Sequence, residues 1–94
     1  MKRQDAKIER YIFDELGGYI VEVEERNDSK FGLVWDAWLT KENFGVKSFM
    51  FGVIADQTQA NEPHVYTREE ALELIFANLI VYIEDFREKY ESED

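Results

Sequence analysis

The sequence predicts an α+β domain with two layers, in the element order α-β-β-β-α. Apolar and polar residues alternate along three consecutive segments, short turn sequences join these segments, and a long amphipathic pattern follows them. Short connections favour antiparallel pairing, because a parallel pair needs a crossover of about a dozen residues or more. We therefore expect a three-stranded antiparallel meander packed against a long C-terminal helix.

The first predicted element is a short helix over residues 5–16. Asp5 provides an N-cap for its first turn. Apolar residues at a spacing of four form one helical face, and they are Ile8, Ile12 and Leu16. Gly17 and Gly18 end the helix, since glycine adopts the left-handed conformation that closes a helix C-terminus.

The three strands are predicted over residues 19–26, 31–41 and 46–56, and their alternation sorts side chains between two faces of the sheet. One face carries Tyr19, Val21, Val23, Phe31, Leu33, Trp35, Ala37, Leu39, Phe49, Phe51 and Val53. The other face carries Ile20, Val34, Trp38, Met50 and Ile54 together with Glu22, Glu24 and Asp36. The first face supplies the predicted core.

A long helix is predicted from Thr67 to about Tyr90. Thr67 and Glu70 form a capping box, in which each side chain binds a free backbone N–H of the other residue. Apolar residues at spacings of three and four give this helix a core-facing stripe, formed by Leu72, Ile75, Phe76, Leu79, Ile83, Phe86 and Tyr90. Residues 91–94 are expected to be a frayed tail of a single domain that spans residues 1–94.

Composition limits the possible functions. Eleven Lys and Arg residues stand against 21 Asp and Glu residues, which gives a formal net charge of −10. Such a chain is not expected to bind nucleic acid directly, because that binding depends on cations that neutralise phosphates. There is no cysteine, and no segment has the pattern of a signal peptide or a membrane span. These features predict a cytoplasmic protein that does not bind membranes.

Residue types that carry catalysis are sparse, and we expect no enzymatic activity and no cofactor. The one histidine, His64, lies in a predicted polar loop, where histidines are usually solvated. Asp56 and Glu62 are the nearest carboxylates to it, but their spacing matches no known metal-ligand pattern. Carboxylates on the sheet face could act as acid and base, but so small a sheet offers little room for a cleft.

Apolar residues also occur where the long helix should face solvent. Leu74, Ala77 and Val81 lie opposite the core-facing stripe, among glutamates. Either they are scattered surface residues or are covered by the N-terminal helix, or they form the interface of a homodimer. The sheet face that carries Trp38 poses the same question. Either the N-terminal helix covers it, or it binds a partner.

The acidic excess favours a protein that binds, and inhibits, a basic nucleic-acid-processing protein by presenting a DNA-like surface. Anti-CRISPR and other phage anti-defence proteins are an analogy in size and composition. The side chains expected to contact this partner are Glu22, Glu24, Asp36, Trp38, Glu84, Asp85 and Glu88. The alternatives are a regulatory or structural homodimer, and an immunity or antitoxin protein that neutralises a toxin.

Overall fold

The computed structural model describes residues 7–60 and 64–91 of the chain. One layer is an antiparallel sheet with its four strands in chain order, β1 (Lys7–Phe13), β2 (Tyr19–Asp28), β3 (Gly32–Lys41) and β4 (Lys47–Ile54). The other layer consists of α1 (Arg68–Ala77), α2 (Leu79–Phe86) and a π-helical turn (Arg87–Glu91). The α+β class is therefore confirmed, but the sheet has one strand more than the sequence predicted.

The predicted N-terminal helix is wrong, because residues 7–13 form strand β1. This strand pairs with β2 along its whole length, from Lys7 opposite Glu25 to Phe13 opposite Tyr19. A spacing of four fits a strand as well as a helix, because residues i and i+4 share a face in both. A short isolated helix is marginal in water, whereas a fourth strand pairs the backbone groups that β2 would otherwise leave exposed at its edge.

Gly17 and Gly18 lie in the connection from β1 to β2, whereas the sequence predicted that they end a helix. Residues Asp14–Leu16 form a 3₁₀ turn, and Gly17 closes it with φ +106°. Gly17 N–H binds the Asp14 carbonyl, while Gly18 N–H binds the Phe13 carbonyl at the end of β1. Glycine therefore provides the left-handed conformation expected of it, but in a turn between two strands.

The core lies between the helices and one face of the sheet. Tyr19, Val21, Val23, Trp35, Ala37 and Leu39 are buried there, as their alternation predicted. Aromatic contacts join the two layers. The Phe86 ring lies 5.9 Å from the Tyr19 ring, and the Phe76 ring lies 5.5 Å from the Phe13 ring. Because residues 7–13 belong to the sheet, they do not cover the helices or the opposite sheet face as the predicted helix would.

A β-bulge in β4 changes which side chains face the core. Pairing shifts between Ala37, opposite Phe51, and Trp38, opposite Phe49, so that Met50 is the extra residue. A bulge breaks strict alternation in one strand. Met50 is consequently buried in the core cluster, while Phe49 is 50% exposed beside Trp38. The sequence predicted the opposite placement for Phe49 and Met50.

The predicted C-terminal helix is interrupted at Asn78. Helix α1 has ten residues, and α2 with its π-helical turn covers residues 79–91. The Asn78 N–H binds the Ile75 carbonyl, and its side-chain amide donates to the Leu74 carbonyl at 2.8 Å. The side chain thus takes the place of a helical backbone bond, as asparagine often does at helix ends. The predicted capping box of Thr67 and Glu70 is confirmed, and residues 92–94 of the predicted tail lie outside the described residues.

Candidate partner-binding surfaces

Two surfaces carry the candidate residues, and they lie on opposite sides of the molecule. We call the first the open sheet face, because every described helical residue of the core packs on the other side of the sheet. It consists of Ile8, Arg10 and Ile12 of β1, Ile20, Glu22, Glu24, Arg26 and Asp28 of β2, Val34, Asp36, Trp38 and Thr40 of β3, and Lys47, Phe49 and Ile54 of β4.

Three apolar side chains on the outer strands of the open sheet face are exposed to solvent, whereas Ile20 and Val34 on its inner strands are buried. Ile8 is 58% exposed, Ile12 59% and Phe49 50%. The rings of Trp38 and Phe49 meet edge to face, with their centroids 5.0 Å apart. The Lys47 ammonium lies 5.4 Å from the centroid of the Trp38 ring, at cation–π distance. Trp38 itself is partly buried.

Cations pair with the carboxylates of this face. Glu22 binds Arg10 at 3.2 Å and Lys47 at 3.0 Å. Asp36 accepts a hydrogen bond from Arg26 Nε at 2.6 Å, and this bond contributes most to raising the Arg26 pKa. With Glu24 and Asp28, which lies 3.7 Å from Arg26, the face holds four carboxylates and three cations, a net charge of −1. The predicted acidic border is therefore almost balanced.

The second surface is the helix outer face, on the solvent side of α1 and α2. Its residues recur at spacings of three, four and seven and are Glu73, Leu74, Ala77, Ile80, Val81, Glu84, Asp85 and Glu88. All of them are exposed, and the large apolar side chains Val81 (64%) and Ile80 (53%) are more exposed than Leu74 (36%).

Negative charge on the helix outer face is largely unpaired. Asp85 lies 3.5 Å from Lys89 one turn later, in an exposed pair that contributes little stability. Among the described residues, no cation lies within ion-pair distance of Glu73, Glu84 or Glu88. Most of its carboxylates thus remain available to a partner, unlike those of the open sheet face.

The structure divides the predicted contact residues between these surfaces. Glu22, Glu24, Asp36 and Trp38 share the open sheet face, whereas Glu84, Asp85 and Glu88 lie on the helix outer face. A single flat partner cannot contact both groups, because the core separates them. Leu74, Ala77 and Val81 are indeed exposed together, but on the same surface as the second acidic group.

Sequence reasoning missed several residues of these surfaces. Arg10 was assigned to a helix, and Lys47 was not placed against Glu22. Cross-strand register decides both contacts. Ile80 was overlooked beside Val81, although its sequence position opposite the core stripe could have revealed it. Phe49 could not be found from alternation, because the bulge reverses its direction.

His64 and Asp56, the described candidates for catalysis or metal binding, lie in the segment between β4 and α1. His64 is exposed and lies 3.6 Å from Glu70. Asp56 binds Thr58, which lowers the Asp56 pKa, and Glu62 lies outside the described residues. No group of three potential metal ligands occurs in the ranges 7–60 and 64–91. A cavity of about 60 Å³ lies beside Trp35, and an open depression of about 360 Å³ is lined by His64, Tyr66, Glu70, Glu73, Leu74 and Ala77.

Comparisons with other proteins give no relative from which a function could be carried over. No protein-family model, curated protein or solved structure matches the chain. Among the described residues, no helix is long and apolar enough to cross a membrane. Any functional argument therefore depends on the two surfaces themselves.

Proposed function

We propose that this protein, without catalysing a reaction, binds and inhibits a basic protein that itself binds nucleic acid. The unpaired carboxylates of the helix outer face are the observation that carries the proposal. Residues 64–91 hold seven carboxylates against three cations, a net charge of −4. A cluster of like charge attracts an oppositely charged partner and accelerates their encounter.

The spacing of these carboxylates supports mimicry of a nucleic-acid strand. Glu84 and Glu88 are one helical turn apart, a rise of about 6 Å, and Asp85 lies beside them. Two phosphate steps along one DNA strand advance by about 6.8 Å. A groove that binds successive phosphates with Lys or Arg can therefore accept these carboxylates in their place.

Apolar side chains supply the other half of the proposed contact. Ile80 and Val81 precede the acidic group by one turn, and Leu74 and Ala77 continue the apolar strip along α1. Charge sets the rate of encounter, whereas buried apolar anchors lower the rate of dissociation. The combination favours a specific inhibitor over a purely electrostatic ligand.

The open sheet face is less suited than the helix outer face to bind a basic partner. Glu22 and Asp36 already bind cations of their own chain, and a new cation would have to displace Arg10, Lys47 or Arg26. We therefore assign the basic partner to Glu84, Asp85 and Glu88, and leave Glu22, Glu24, Asp36 and Trp38 out of that contact.

The proposal is tested by capture of basic proteins from a bacterial lysate, with duplex DNA and salt as competitors. The wild type is expected to retain a nucleic-acid-binding protein, which DNA displaces. The triple variant Glu84→Gln/Asp85→Asn/Glu88→Gln should weaken the affinity of the purified pair at least about tenfold, because it removes three of the charges that face the partner.

A matched control removes the same number of charges elsewhere. Asp14, Glu15 and Glu42 are exposed in the turns between strands, and their conversion to amides should leave binding nearly unchanged. Equal binding by the two triple variants, or capture that DNA does not displace, would contradict the proposal.

Two alternatives use the same surface. An immunity or antitoxin protein would bind a basic toxin through the same carboxylates, and identification of the captured protein separates this case. A homodimer through Leu74, Ala77 and Val81 is less favoured. It would bring Glu84, Asp85 and Glu88 of two copies close together, and like charges repel.

A further inference from the structure

We infer that the open sheet face binds a second copy of this chain, so that two sheets pack face to face in a homodimer. The inference is independent of the proposed inhibition, which uses the opposite side of the molecule. It depends on the charge balance of this face, on its exposed apolar side chains and on its extent.

The charge balance identifies the occupant. Two copies of a chain with a net charge of −10 repel each other over most of their surfaces. On the open sheet face, three cations stand against four carboxylates, a net charge of −1, so two such faces repel each other far less than the rest of the two surfaces. A strongly basic partner would gain little from so nearly balanced a surface, whereas an identical surface can approach it.

The ion pairs also allow the face to be covered. Burying a charged side chain is costly unless it remains paired. Glu22 keeps Arg10 and Lys47, and Asp36 keeps Arg26, when water is excluded from the surface. Glu24 lies close enough to Arg26 to contribute to its raised pKa. Association therefore leaves none of these carboxylates without a nearby cation.

Exposed apolar side chains provide the driving force. Ile8, Ile12 and Phe49 are each at least half exposed, and they lie on the two outer strands of the sheet. Trp38 lies between them on β3 and packs against Phe49. In a homodimer with a two-fold axis, the outer strands of each copy pack against the sheet of the other copy. The same residues are therefore buried in both copies.

The size of the face predicts a weak dimer. Four strands about 4.8 Å apart and seven residues that rise about 3.3 Å each cover roughly 440 Å² in projection. This extent belongs to the low end of protein interfaces, which are typical of transient complexes. We expect dissociation in the micromolar range, with monomers at high dilution.

Sedimentation equilibrium between about 1 µM and 1 mM tests this inference. The wild type should change from the monomer mass of 11.2 kDa to twice that value. Higher salt should strengthen the dimer, because it screens the repulsion between the two negatively charged chains. The same salt should weaken the binding of a basic partner, so the two contacts respond in opposite directions.

Three substitutions that each add one positive charge locate the interface. Ile12→Lys and Phe49→Lys should raise the dimer dissociation constant at least about tenfold, because each buries an unpaired ammonium. Val81→Lys, on the helix outer face, is the matched control and should leave it unchanged. Circular dichroism checks that all three variants fold, and Ile12 has little contact to lose because it is 59% exposed.

Several results would overturn the inference. A wild type that remains monomeric at 1 mM has no such interface. A dimer that Val81→Lys dissociates, and that Ile12→Lys and Phe49→Lys leave intact, forms through the helices instead. A dimer that all three variants leave unchanged uses neither surface.

Discussion

The Tyr19 hydroxyl donates a hydrogen bond to the carboxylate of Glu91, which lies 72 residues later in the sequence. Arg87 Nε donates to the same hydroxyl at 3.2 Å, and Lys41 Nζ binds the other oxygen of Glu91 at 3.1 Å. Tyr19 is fully buried at the start of β2. This network holds the π-helical turn against the sheet and so fixes the C-terminal end of the helical layer.

We expect Tyr19→Phe to lower the free energy of unfolding by about 1–2 kcal/mol, because it removes the hydroxyl that joins Glu91 and Arg87. Urea unfolding followed by circular dichroism measures the change. Tyr90→Phe is the control, since Tyr90 is 41% exposed and its hydroxyl has no described partner. Similar losses in the two variants would show that the network does not stabilise the fold.

The contribution of Glu91 should depend on pH. The hydrogen bond from Tyr19 holds the Glu91 pKa below its ordinary value of 4.5, and Lys41 acts in the same direction. A carboxylate whose pKa is lowered by folding stabilises the fold above its unfolded pKa and ceases to do so as pH falls through the folded value. The stability difference between the wild type and Glu91→Gln should therefore be constant near neutral pH and shrink below about pH 4.5.

Urea unfolding from pH 7 to pH 3 checks this dependence. The matched control is Glu88→Gln, because Glu88 is exposed on the same turn and makes no described ion pair. Its stability difference from the wild type should show little change over the range. A Glu91→Gln difference that also stays constant would contradict the predicted role of the carboxylate.

Gly52 leaves room for the carboxylate of Asp36 on the neighbouring strand. A Cβ at position 52 would lie 2.6 Å from Asp36 Oδ1, well inside van der Waals contact. Gly52→Ala should therefore cost about 1–3 kcal/mol of stability, because Asp36 must move away from Arg26 or the strands must separate.

A double-mutant cycle isolates this contact. In an Asp36→Ala background the obstructing carboxylate is gone, so Gly52→Ala should cost markedly less there than in the wild type. Urea unfolding of the four proteins gives the coupling. An equal cost in both backgrounds would mean that another contact requires glycine.

The cap of α1 makes a separate contribution to stability. Thr67 accepts a hydrogen bond from the Glu70 N–H at 3.2 Å, and the Glu70 side chain accepts one from the Thr67 N–H at 3.0 Å. Thr67→Ala should cost about 1 kcal/mol, because the Glu70 N–H loses its acceptor at the helix start. Thr67→Ser retains the hydroxyl and should keep most of the stability. Thermal unfolding of both variants measures their losses of stability. An equal loss would mean that the methyl group of Thr67, and not its hydroxyl, stabilises the fold.

The sequence alone determined the features that depend on neighbouring residues. The alternation of β2 and β3 identified the core-facing residues, and the spacing of Thr67 and Glu70 identified the start of α1. The excess of carboxylates and the exposed position of Val81 also followed from composition and helical periodicity. These patterns are local, so no knowledge of distant contacts is needed to interpret them.

Tertiary structure decided what depends on partners far along the chain. Residues 7–13 form a strand because β2 offers an edge to pair with, although their spacing fits a helix equally well. The bulge turns the Met50 side chain toward the core and the Phe49 side chain toward the opposite face, which alternation cannot predict. Cross-strand register brings Arg10 and Lys47 to Glu22, and this contact leaves a face that looks acidic in the sequence with a net charge of only −1. Charge in a sequence is a sum, whereas the potential at a surface depends on which charges folding brings together.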